Sequence, residues 1–176
     1  EVNRLRGIAY DKLAGSNLKD LTKRADTVVF DTDGQQLGTI NAGHFVYDKI
    51  EDISPNLQNA YIAQEDRNFK THHGVDYKAT LRAVFQLVKN RGRITQGGST
   101  ITQQVVKNTY LSQEKTFTRK IVEIMLAQEL EKMYSKADIM EIYCNTNFYG
   151  NNCYGVEAAS QYYFEKPAKD LTVEEA

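Results

Sequence analysis

"TRKIVEIMLAQELEKMY", residues 118–134, decides the fold class. It reads as one long helix, apolar nearly all round. Glu123 is the anomaly inside it, because Ile121, Val122, Ile124, Met125, Leu126 and Ala127 surround it with apolar side chains. A carboxylate in such company needs a partner or a purpose. The plain reading is an intrahelical pair with Arg119 at i−4, worth about 0.2 to 0.5 kcal/mol on an exposed helix. The functional reading is an acid retained for chemistry.

Helices flank this stretch on both sides. Ser135 with Asp138 caps the next one, to about Asn145, and "VEAASQYYF" is the last. Between those two lies "TNFYGNNCYG", an aromatic, Asn- and Gly-rich loop. Upstream, "GGSTITQQVVKNTYL" reads as a Gly-Gly turn into a helix capped by Ser99. "VDYKATLRAVFQLVKNRGRI" (75–94) places Leu81, Val84, Phe85 and Val88 at i, i+3, i+4, i+7, with basic residues elsewhere. It is either a core-facing surface helix or a segment lying in a membrane interface. Ser54-Pro55 starts a further helix that runs through Asp66. Only "TVVFDTDGQQLGTI" (27–40) alternates β-formers, around Asp33-Gly34, as a hairpin does. The fold class is mainly α with one short N-terminal hairpin.

The chain has 176 residues, 41% hydrophobic and 26% charged, which suits one globular domain. A net charge of −1 provides no overall field to attract nucleic acid, so any anion site must be built locally. Cys144 and Cys153 are the only cysteines, without zinc-ligand spacing. No apolar run is long enough to span a bilayer and the N-terminus opens on charged residues, so an anchor is expected upstream of Glu1. At the far end Thr172 and Glu175 form a capping box that announces a helix, so the domain is expected to be incomplete at its C-terminus.

"YIAQEDRNFKTHHG" (61–74) ends an apolar helical run in two adjacent acids. Glu65 follows Tyr61 by four residues and is expected to border the core. The negative end of its helix, that apolar flank and Asp66 next door all disfavour the ionised form, which suits a general base. The plain alternative is a loop salt bridge with Arg67. "QGGST" presents free backbone N–H groups at a helix start, a ready anion site, and Lys107, Lys115, Arg119 and Lys120 follow closely enough to converge on a phosphate.

"EDRNFKTHHG", "QGGSTITQQVVKN", "RKIVE", "IMEIYCNTNFYG" with "YGVEAASQYYF", and "KPAKDLTVEEA" resemble, in order and spacing, the five motifs of the peptidoglycan glycosyltransferases, glycosyltransferase family 51. These enzymes occur as monofunctional proteins and as the N-terminal domain of class A penicillin-binding proteins. The resemblance covers about residues 25–176. It implies a lysozyme-like head lobe (about 25–66 and 97–176) and a small membrane-associated jaw (about 70–96), which favours the interfacial reading of residues 75–94.

The implied reaction polymerises lipid II. The 4-hydroxyl of the acceptor N-acetylglucosamine attacks C1 of the donor N-acetylmuramic acid, with inversion and release of undecaprenyl pyrophosphate. By the resemblance Glu65 is the general base, and Glu123 assists pyrophosphate departure, directly or as ligand to a divalent cation (Mg or Mn). No organic cofactor is implied. Ser99, Thr100, Gln103, Gln104, Lys107, Lys115, Arg119 and Lys120 match substrate-binding positions in the donor cleft. Asp66, Phe69, His72, Gly74, Gly97 and Asn145 match supporting positions. Family members often carry glycine where Asn152 and Glu165 stand here. Implied partners are lipid II, the growing glycan strand, the outer face of the cytoplasmic membrane, moenomycin-type inhibitors and other cell-wall synthesis proteins. Two rival readings are a lysozyme-like muramidase, which would not need the cations, and an inactive lipid-pyrophosphate-binding module, which would not need Glu65.

Overall fold

The computed structural model describes residues 2–14, 17, 27–40, 44–89, 97–112, 114 and 116–176. The chain runs α1 (Val2–Leu13), β1 (Thr27–Phe30), β2 (Gln36–Ile40), β3 (His44–Phe45), α2 (Pro55–Glu65), α3 (Tyr77–Lys89), α4 (Ile101–Tyr110), α5 (Phe117–Met133), α6 (Lys136–Thr146), β4 (Cys153–Tyr154) and α7 (Val156–Phe164). The architecture is mainly α. α5 is the long helix anticipated from residues 118–134, and it buries Val122, Glu123, Leu126, Ala127 and Leu130. α4 packs on α5 and also on α6, whose Ile139 and Ile142 are fully buried. Burying each such aliphatic side chain contributes about 1.5 to 3 kcal/mol, so these three helices hold most of the core.

α1, which packs on α5, was not anticipated. Its signal is thin: Leu5, Ala9 and Leu13, four residues apart, form a single buried stripe in an otherwise charged stretch. The hairpin forms as expected, with Thr27 opposite Ile40, but its turn is wider than Asp33-Gly34 alone. The Asp31 carboxylate accepts from the Asp33 and Gln35 N–H groups at 2.9 and 2.8 Å, and a bulge interrupts the ladder between Val29 and Phe30. The loop after α6 contributes β4, which pairs in parallel with β3.

α2 starts at Pro55 behind its N-cap Ser54 and ends one residue short of the expected limit, at Glu65, with Asp66 as its C-cap. The α4 cap is a correction: Thr100, not Ser99, is the N-cap, because Thr100 forms the reciprocal capping box with Gln103. Residues 90–94 of the anticipated basic helix lie outside the described residues. Within α3, Leu81 and Phe85 are 71% and 63% exposed and Tyr77 is exposed beside them, so these three side chains are not directed into the core, while the side chains of Val84 and Val88 lie outside what is described. Thr172 N–H bonds to the Glu175 carboxylate at 2.9 Å and Ala176 N–H to Thr172 O at 3.1 Å, the first turn announced by the capping box.

Both positions where family members often carry glycine are left-handed here: Asn152 has φ 61° and Glu165, the C-cap of α7, has φ 55°. A side chain in that region costs roughly 1 to 2 kcal/mol, less for Asn. Cys144 and Cys153 are buried free thiols. Burial pushes the Cys144 thiol up to about 12.

Asn145 is buried at the end of α6, where its side chain brackets the Asp48 backbone, accepting from Asp48 N at 2.9 Å and donating to Asp48 O at 2.8 Å. Burial, then the neighbouring Glu157 carboxylate, pushes the Asp48 carboxyl up to about 7. Its Oδ2 is buried without a hydrogen-bond partner among the described residues. The folded pKa lies above the unfolded value of 3.8, so the stabilising contribution is complete below that value and is lost as pH rises through about 7. Asp48→Asn stays neutral throughout. Its urea midpoint should exceed that of the wild type at about pH 8 and approach it at about pH 4; no gain at the higher pH would refute the assignment.

Candidate active site

The two acids that close α2 point to different tasks. Asp66 is buried, and its Oδ2 accepts from the Ile101 N–H at 3.0 Å and pairs with His72 Nε2 at 2.8 Å. A carboxylate that is unwelcome at the C-terminus of α2 thus sits at the N-terminus of α4, where the helix dipole favours it. His72 is held in turn by the edge of the Phe69 ring, 6.1 Å between centroids, while Lys136 Nζ lies 4.6 Å over that ring and 2.7 Å from Glu131 Oε1. Gly74 has φ 83°, and its carbonyl accepts from Thr100 Oγ1 at 2.6 Å. These supporting residues tie the end of α2 to the start of α4.

Glu65 is exposed, which corrects the expectation that it borders the core: as the last residue of α2 it turns away from the buried side and into a cleft of about 440 Å³. Gly97, Ser99 and Thr100 line the same cleft. The rival salt bridge with Arg67 does not take its place, since Arg67 Nε donates back to Ala63 O at 3.1 Å. Arg82, one of the basic residues of the amphipathic α3, also lines the cleft. Its only sequence signal is a basic residue on an amphipathic helix, which does not by itself say which cavity the helix borders.

Adjacent glutamines of α4 reach the two glutamates. Gln104 Nε2 donates to Glu65 Oε2 at 2.9 Å. Gln103 is buried; its Oε1 accepts from Thr100 N at 3.0 Å, which leaves Nε2 to donate to Glu123 Oε1 at 3.3 Å. Lys107 is one turn further along α4 and half-buried.

Glu123 is 1% exposed. Arg119 Nη1 reaches its Oε2 at 3.0 Å, and Lys120 Nζ bonds its Oε1 and also donates to Ser99 Oγ at 2.9 Å. Ser99 is therefore the link between the cleft and the buried carboxylate behind it. The pair with Arg119 exists, but Glu123 anchors a second cation as well, which an exposed i, i+4 pair would not do. Arg119 Nε is buried without a hydrogen-bond partner among the described residues. Lys115 lies outside the described residues.

The donor set does not fit a divalent cation. Glu123 receives Arg119, Lys120 and Gln103 on its oxygens, and among the described residues no three His, Cys, Asp or Glu side chains gather in a metal-holding group. Chemically, the site pairs an accessible carboxylate with a helix N-terminus and cations fixed from below by a buried acid. Such an arrangement can take a proton from a hydroxyl on one side and stabilise an anionic leaving group on the other.

The family described as Transglycosylase matches residues 33–176. The chain is 41% identical over 157 residues to penicillin-binding protein 1F of Bacillus subtilis, covering 89% of this chain and 22% of that protein. It is 44% identical over 160 residues to penicillin-binding protein 1A of Aquifex aeolicus, covering 90% of this chain and 22% of that protein. For penicillin-binding protein 1A of Pseudomonas aeruginosa the identity is 40% over 158 residues, covering 90% and 19%. The chain thus spans about a fifth of the length of these relatives. On the family match, and on identities near 40% across most of its length, the chain belongs to the transglycosylase family, the peptidoglycan glycosyltransferases.

Proposed function

We propose that this chain polymerises lipid II into glycan strands by inverting transfer. The observation that carries the reading is the shared cleft of Glu65 with Ser99 and Thr100 at the start of α4, backed by Lys120 and Arg119 on Glu123. Glu65 takes the proton from the 4-hydroxyl of the acceptor N-acetylglucosamine as its oxygen bonds to C1 of the donor N-acetylmuramic acid. The bond from C1 to the pyrophosphate breaks, and its electron pair leaves on the phosphate oxygen. Pyrophosphate is a good leaving group once its charge is met by cations and backbone N–H groups, so the base is the main demand on the protein.

The exposed Tyr77, Leu81 and Phe85 of α3, with Lys78, Arg82 and Lys89 on the same helix, suit a jaw segment lying in the membrane interface. Among the described residues no helix is long and apolar enough to cross a membrane. The protein then works at the outer face of the cytoplasmic membrane, held there by an anchor outside this chain, with the head lobe above the lipid.

Incubation with lipid II in detergent, and separately with finished glycan strands, tests the reading. Lipid II should be consumed, with undecaprenyl pyrophosphate and lengthening strands as products. Shortening of finished strands without lipid II consumption would establish a muramidase instead, and binding without turnover would establish a silent module.

A further inference from the structure

The geometry points to Tyr143 as a positioning residue for the general base, acting through Gln104. This rests on the proposed role of Glu65. A carboxamide has one donating and one accepting end, and Gln104 can donate to Glu65 only while its Oε1 points away. The Tyr143 hydroxyl lies at that other end, donating to Gln104 Oε1 at 3.5 Å, while Gln104 Nε2 donates to Glu65 Oε2 at 2.9 Å. The accepting carboxylate fixes which end of the amide faces it, and the Tyr143 hydroxyl, donating to Oε1, holds the far end of that orientation in place. With the orientation reversed, two oxygen atoms would face each other.

Tyr143 is built to hold that place. It is a buried residue of α6, and burial pushes its hydroxyl up to about 12, so it stays a protonated donor across the working range. The Tyr61 ring meets it edge to face at 5.1 Å and 86°, and the Tyr61 hydroxyl is tied to that of Tyr149. Glu65 needs such a brace, because it is exposed at the last residue of a helix and its own rotamers are otherwise free. With Oε2 engaged by Gln104, Oε1 is the oxygen left to meet the acceptor hydroxyl.

The test is a double-mutant cycle of Tyr143→Phe and Gln104→Met in the whole chain, assayed for lipid II polymerisation. Tyr143→Phe keeps the ring packed on Tyr61 and removes one oxygen. It should lower kcat about ten-fold, less than the roughly 10²-fold that a misplacement of about 1 Å can cost, and leave KM within roughly two-fold. Gln104→Met should lose at least as much kcat, and adding Tyr143→Phe to it should cost nothing further, because the hydroxyl then has no amide to orient. Additive losses, a rise in KM alone, or wild-type kcat in Tyr143→Phe would each overturn the inference. If Tyr143→Phe lowers the melting temperature markedly, Gln104→Met decides: wild-type kcat in that variant overturns the inference and a loss of kcat supports it. A wild-type chain that does not polymerise lipid II would instead remove the parent reading.

Discussion

Glu65→Gln is expected to lower lipid II polymerisation by a factor of about 10³, within the 10² to 10⁴ that a positioned general base contributes. Gln has nearly the shape of Glu, and its Oε1 can still accept from Gln104 Nε2, so the hydrogen bond that holds the side chain is kept. What disappears is an oxygen able to take a proton. The surroundings do not depend on this carboxylate for folding, because Glu65 is exposed and the buried acid at the end of α2 is Asp66. The melting temperature should therefore stay close to that of the wild type, and a moenomycin-type inhibitor should bind Glu65→Gln nearly as well as the native chain. Turnover at the wild-type rate would remove Glu65 from the reaction; loss of inhibitor binding along with turnover would show that the variant had damaged the cleft.

The largest loss of stability is expected at Gly74. A Cβ there would sit 2.5 Å from Ala127 O, 2.6 Å from Ala127 C and 2.8 Å from Gln128 N, all backbone atoms of the central helix. Neither partner can swing aside as a side-chain tip would. The residue also has φ 83°, a conformation that costs an L side chain roughly 1 to 2 kcal/mol. Overpacking adds about 1 to 3 kcal/mol, so Gly74→Ala should cost on the order of 2 to 5 kcal/mol and lower the melting temperature by roughly 10 °C. Moving Gly74 would also displace the carbonyl that accepts from Thr100 and so loosen the start of α4. Gly97→Ala is the control: nothing lies within 4 Å of its Cβ, and its stability should change by less than about 0.5 kcal/mol. Equal melting temperatures for the two variants would contradict the close approach of Gly74 to α5.

Several elements were readable in advance because their signals are local. Pro55 after Ser54, the capping box of Ser135 with Asp138 and the apolar run of α5 each act within a few residues. α1 was not readable, since Leu5, Ala9 and Leu13 form a stripe only once α5 is there to receive it. The cap of α4 falls one residue from Ser99 because Thr100, and not Ser99, has a glutamine three residues on, a capping-box signal that is itself local. Ser99 is instead taken up by Lys120, which reaches it from α5. Asn152 and Glu165, where family members often carry glycine, are both left-handed, which only the backbone coordinates reveal.

The linear order of residues determined the helical character of this protein, its family and its two unusual acids, because caps, periodicity and motif spacing are encoded by near neighbours. Tertiary structure alone decided what each acid does. Glu65 and Asp66 are adjacent in the chain, yet one opens to a cleft and the other caps a helix 35 residues away. Glu123, which in the sequence pairs with Arg119 alone, is also reached by Gln103 from α4 and by Lys120, itself bonded to Ser99. The energy of a charge depends on which dipoles and countercharges the fold brings within a few ångströms, and the chain alone does not state those distances.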